Sequence, residues 1–97
     1  MARYVSLVRF TDQGIRTYQD TVERSENYGQ IIERAGGRLI NVLWTLGDYD
    51  IVTVFEAPDD ETATSVALGV CSMGNIRTTT MRAFDAEEMG AIIERTG

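Results

Sequence analysis

The sequence predicts an α+β fold of the split-βαβ kind: a four-stranded antiparallel sheet with two helices on one face and a further helix at the C-terminus. Three observations predict it. Four segments rich in β-branched and aromatic residues alternate with helix-periodic segments in the order β-α-β-β-α-β. The second and third strands lie so close in sequence that only a hairpin can join them. The length of 97 residues allows one hydrophobic core, so residues 1–97 are read as a single domain.

The first strand is YVSLVRF, residues 4–10. Thr11 can cap a short helical turn through Ile15 and Tyr18. The main helix starts near Asp20 or Thr21 and ends before Gly36-Gly37. Val22, Ser25, Tyr28, Ile32 and Ala35 form its apolar face, and Gly36 suits the left-handed position after its end. Gly29 inside that helix costs roughly 1 kcal/mol against alanine and is a candidate for close packing. Strands follow at 38–46 and 49–56, separated by Gly47-Asp48 in a tight turn, or by a longer loop that includes Tyr49, so the register stays open. Pro58 ends the third strand. Asp59 or Asp60 caps a second helix whose stripe of Ala63, Val66, Ala67, Val70 and Met73 is small enough to lie close to a sheet. Residues 76–84 form the fourth strand. Asp85 and Glu88 then have capping-box spacing at the start of a last helix carrying Met89, Ile92 and Ile93.

Both faces of the predicted sheet carry large apolar groups. Tyr4, Val8 and Phe10 alternate with Val5 and Leu7. Ile40, Val42, Trp44 and Leu46 alternate with Leu39, Asn41, Leu43 and Thr45. Ile51, Thr53 and Phe55 alternate with Val52 and Val54. Helices cover one face only, so a monomer exposes a sizeable apolar patch on the other. A homo-oligomer packed sheet to sheet through that face is the expectation, against a wet face half-covered by the last helix.

The formal charge is −6, and every base is arginine. An acidic surface disfavours nucleic acid and anionic membrane as partners. No stretch reaches the roughly 20 apolar residues of a membrane span, and the start of the chain does not read as a signal peptide, so a cytoplasmic location is the default expectation. Histidine is absent and Cys71 is the single cysteine. That leaves no disulfide within the chain, no Ser-His-Asp or Cys-His arrangement and no conventional zinc site; no metal or cofactor is expected. The glycines match no phosphate-binding loop and the acids no calcium loop.

The chain resembles the GYD domain family, whose naming pattern Gly-x-Tyr-Asp stands here as Gly47-Asp48-Tyr49-Asp50 within WTLGDYDIVTVFEAPDDETA. FTDQGI near the start, Gly36-Gly37, and MGNIRTTTMRAF followed by an acidic helix start extend the likeness over nearly the whole chain. The resemblance implies a ferredoxin-like fold of the dimeric α+β barrel type and carries no established activity. At superfamily distance it points to small monooxygenases, muconolactone isomerases and ligand-sensing domains of regulators, as analogies of fold.

Asp50 and Tyr49 are the candidate catalytic pair. A carboxylate in a cleft at the sheet edge can act as a base, and a tyrosine beside it can donate to a ligand oxygen. Against this, Asp50 can simply cap the hairpin and Tyr49 close the core. Trp44, Arg24, Arg77 and Arg82 complete the candidate ligand-binding set, the arginines through their rigid fork for carboxylates. Each has a plain alternative, in the core for Trp44 and in a salt bridge for the arginines. Cys71 is read as a helix-core residue. Three functions follow: a non-catalytic oligomeric module binding a small ligand or a partner, a cofactor-independent enzyme acting on a small cyclic or aromatic acid, and a structural assembly protein.

Overall fold

A computed structural model describes residues 1–97. Strand β1 (Ala2–Phe10) leads into α1 (Asp12–Arg16), a single 3₁₀ turn (Tyr18–Asp20) and α2 (Thr21–Arg34). Then come β2 (Arg38–Trp44), β3 (Ile51–Ala57), α3 (Asp60–Ser72), β4 (Ile76–Ala83) and α4 (Ala86–Glu94). The sheet is antiparallel throughout, in the order β2-β3-β1-β4. This is the ferredoxin-like α+β arrangement, with α2 and α3 on one face.

Local chemistry sets the boundaries. The Thr11 hydroxyl accepts from Gly14 N–H at 3.0 Å and starts α1. Gly36, with φ of 90°, ends α2. Asp59 caps α3 by accepting from Thr62 N–H at 2.8 Å. Asp85 and Glu88 form a full capping box on α4. Gly14 is required for another reason. A Cβ there would sit 1.9 Å from the Asn75 carbonyl oxygen, because the start of α1 presses against the turn between α3 and β4. Thr11 N–H donates to Asn75 O, and the Gln13 amide bridges Met73 O and Asn75 Oδ1.

The core lies between the helices and the inner sheet face. Tyr4, Phe55 and Ala57 meet Ile32 of α2 and Ala63, Val66 and Val70 of α3, with the Tyr4 and Phe55 rings stacked 5.3 Å apart. Two positions of the expected helix stripes are corrected. Val22 and Met73 are exposed, and Ile31 packs against the core in their stead. Val22 stands in the first turn of α2, and Met73 stands just beyond α3. Gly29 does mark close packing, since a Cβ there would approach Leu39 to 3.3 Å.

The tight two-residue hairpin is also corrected. The strands end at Trp44 and restart at Ile51, with Thr45–Asp50 as the loop. Thr45 N–H donates to Asp50 O at 2.9 Å and the Thr45 hydroxyl to Tyr49 O at 2.5 Å. These bonds hold Tyr49 out of the ladder. Strict alternation fails in β2 as well. A bulge between Leu39 and Asn41 turns Leu39 and Val42 to the same side, opposite Phe55 and Thr53.

The outer sheet face is apolar and open. Val5 and Leu7 of β1, Val52 and Val54 of β3, Leu43 of β2 and Met81 of β4 share it by register. Leu43 is 55% exposed and Met81 43%. Helix α4 does not cover them. It continues away from the sheet with Met89 and Ile93 exposed, and the molecule is drawn out to 51 × 30 × 18 Å. No helix is long and apolar enough to cross a membrane.

Candidate functional site

A cavity of about 90 Å³ lies on the inner side of the sheet, between its strands and helices α2 and α3. Its walls include Val8, Ile31, Val42, Ile51, Val70 and Ile76. The polar contributions are few. Thr53 and Thr78 stand on the sheet side and the Tyr28 hydroxyl comes from α2. At the mouth, Arg24, Asn27 and Asn75 line both the cavity and a shallow polar depression that also includes Asp20 and Glu23.

A row of hydroxyls runs across the sheet here. Thr53 of β3, Ser6 of β1 and Thr80 of β4 are direct cross-strand partners. Ser6 is 1% exposed and Thr53 3%. Ser6 Oγ and Thr80 Oγ1 are 2.8 Å apart, and Thr80 reaches Thr78 at 3.5 Å. The Tyr28 hydroxyl lies 3.5 Å from Thr53 Oγ1. Burial pushes the Tyr28 phenol up from its ordinary value, against the opposing pull of the Thr53 and Ser6 hydroxyls. Cys71 Sγ sits 3.7 Å from Thr78 Oγ1, a packed thiol at the edge of this row.

The sequence-derived candidates are scattered by the fold. Arg24 comes to the cavity mouth, where its guanidinium donates to Gly14 O (3.2 Å), Thr17 O (3.0 Å) and Thr17 Oγ1 (3.3 Å). Trp44 lies on the helix side of the sheet, and its indole N–H donates to Thr21 Oγ1 at 3.0 Å. Asp50 lies outside the cavity lining; its carboxylate accepts from Phe10 N–H at 2.8 Å. Tyr49 holds its ring 4.7 Å from the Arg9 guanidinium. Arg77 stands directly opposite Arg9 on the outer face. Arg82 is far from these, stacked on Tyr4 and Phe84 and 3.8 Å from Glu88. Arg24 alone of the six borders the cavity.

Beside Arg82, the Tyr4 hydroxyl donates to Asp60 at 2.5 Å. Burial first, and the Asp60 carboxylate second, push this phenol up to about 12, so it stays protonated as a donor. The exposed Asp59 carboxyl is held low by its bonds to Thr62. The spacing of the hydroxyl row is visible in the sequence as polar residues at the centres of three strands. Their convergence under Tyr28 is not, because it depends on register.

The model of the GYD domain family matches residues 4–93. The glutamine synthetase and cystathionine beta-lyase binding protein of Thermus thermophilus is 32% identical over 90 residues, spanning 92% of this chain and 95% of that protein. Among solved structures, TTHA0845 of Thermus thermophilus superposes with a TM-score of 0.56 at 25% identity, over 89% of this chain and 96% of its own. A feast or famine regulatory protein of M. tuberculosis, solved with L-methionine, gives a TM-score of 0.67 at 10% identity. That match covers 89% of this chain and 52% of the regulator, so the chain spans about half the regulator's length and the likeness is one of fold.

Proposed function

The chain belongs to the GYD domain family, and from that premise we propose that it is a non-catalytic binding module: a homo-oligomer through the outer face of its sheet, with the inner cavity left for a small ligand. The observation that carries this reading is the open apolar outer face, with Leu43 and Met81 about half exposed on strands either side of β1 and β3. A free monomer would hold that patch against water, at a cost of about 25 cal/mol for each Å² left uncovered. Helix α4, unpartnered on its Met89 and Ile93 side, offers a second copy further apolar area. A named relative binds two enzymes, and engagement of another protein by this chain is part of the same proposal.

The enzymatic reading draws no support from Asp50, whose carboxylate serves a backbone N–H of β1. The test of the proposed reading is the mass in solution. Sedimentation velocity at micromolar concentration is expected to show an oligomer for the native chain and a monomer for Leu43→Asp combined with Met81→Asp. A native chain that runs purely as a monomer overturns self-association. Surface plasmon resonance against glutamine synthetase and cystathionine beta-lyase of the same source organism tests the partner arm, and absence of binding to both removes it.

A further inference from the structure

The inner cavity has a chemical selectivity that its composition dictates. This inference rests on the proposed binding role and narrows the ligand. The inner face of a helix-covered sheet is ordinarily apolar, because a buried hydroxyl costs free energy unless it is well bonded. Here Thr53 is 3% exposed, and its recorded side-chain partner is the Tyr28 hydroxyl at 3.5 Å. An O–H···O bond of ordinary strength is nearer 2.7–2.8 Å. Tyr28 also faces the Ser6 hydroxyl, but its long contact leaves Thr53 weakly bonded, with an oxygen free to engage a ligand, and both residues border the same cavity.

The walls are mainly apolar, and the one charged residue that borders them, Arg24, stands at the mouth with its Nη donors spent on Gly14 O, Thr17 O and Thr17 Oγ1. Around the outer depression the two carboxylates Asp20 and Glu23 outweigh the single Arg24 and oppose an entering anion. An ammonium that passed them would find hydroxyls and aliphatic groups within, and no carboxylate. The volume is well short of the ~300 Å³ that begins the range for drug-sized ligands.

We propose that this cavity binds a small uncharged molecule, an alcohol or ketone of a few carbons, whose oxygen meets Tyr28 and Thr53 while its apolar body fills the space between Ile31, Val42, Ile51 and Val70. The oxygen accepts from one hydroxyl and, in an alcohol, donates to the other. Arg24 is a strut that fixes the mouth to α1, and it does not hold a carboxylate.

The test uses the full chain and three probes of equal length: 1-propanol, propionate and propylammonium. In ¹H-¹⁵N correlation spectra at equal millimolar concentration, propanol is expected to shift the amides of Tyr28, Thr53 and Val70 saturably, and the two ions are expected to leave them in place. Thr53→Val keeps the shape of the side chain and removes the hydroxyl. It is expected to weaken propanol binding about fivefold, the worth of one net hydrogen bond. Tyr28→Phe is expected to do the same. A response to propionate or propylammonium equal to that of propanol overturns the proposal. So does the absence of a saturable propanol shift, or unchanged affinity in folded Thr53→Val. Sedimentation of the same samples reads self-association separately, so failure of the cavity and failure of the oligomer are told apart.

Discussion

The carboxylate of Asp50 accepts a hydrogen bond from the backbone N–H of Phe10 at 2.8 Å, just beyond the last paired rung of β1 and β3 at Val8 and Ile51. Asp50 N–H in turn donates to Val8 O at 2.9 Å. The loop leaves the ladder here, and the side chain takes over the acceptor role that a strand carbonyl would otherwise fill. Removing it leaves a partly buried donor unpaired. Asp50→Ala is expected to lower stability by about 1–3 kcal/mol. Asp50→Asn, which keeps an acceptor oxygen, is expected to recover part of that. Urea midpoints at constant m-value measure both.

The glycines divide by what a methyl group would meet. Gly14→Ala drives a Cβ to 1.9 Å from Asn75 O, and Gly37→Ala to 2.2 Å from Glu56 O. Backbone must move in both, at a cost on the order of 3 kcal/mol or more. Gly69, inside α3, has nothing within 4 Å. Gly69→Ala is expected to raise stability by roughly 0.5–1 kcal/mol through helix propensity. Thermal denaturation of the three variants separates them by sign.

Tyr4 and Tyr28 make stability fall at high pH. Their phenols are pushed above the ordinary 10.0, Tyr4 to about 12. The folded state holds these protons more tightly than the unfolded chain. The stability they contribute is complete below pH 10 and is lost as pH rises through the folded values. Absorbance at 295 nm is expected to show two late-ionising tyrosines in the folded protein, which join the others on unfolding in urea.

Arg82 ties α4 to the sheet through Phe84, through Glu88 and through the carbonyl of Arg3. These contacts are largely exposed and are worth roughly 0.5–1 kcal/mol each at most. Arg82→Ala is expected to speed amide exchange across residues 86–94 several-fold, with the exchange of β1 and β3 little changed. Equal acceleration in the central strands would show that α4 belongs to the global cooperative unit.

Element types, order and caps were legible from the sequence because each has a local cause. Thr11, Asp59, Asp85 with Glu88, and Gly36 act within a few residues of their own positions. The apolar outer face was legible too, since Val5, Leu7, Val52 and Val54 follow the period of two. The six-residue loop and the bulge at Leu39/Asn41 were not fixed in advance, because both arise from how β2 meets β3. The same holds for the candidate residues. Asp50 and Tyr49 stand out in the sequence by pattern, yet Ser6, Thr53 and Thr80 gain their meaning only when three strands align them.

The join between Gly14 and Asn75 closes contacts between residues about sixty positions apart, Gln13 with Met73 and Asn75 among them. The β1–β4 pairing next to it spans the same distance along the chain, from Phe10 to Ile76, so the join and that edge of the sheet close the same long loop. Its hydrogen bonds are partly buried around Gly14, which makes it a rigid tie between α1 and the end of α3. Met73 and Asn75 of this turn, and Ile76 at the start of β4, line the cavity, so the tie also fixes one wall of it.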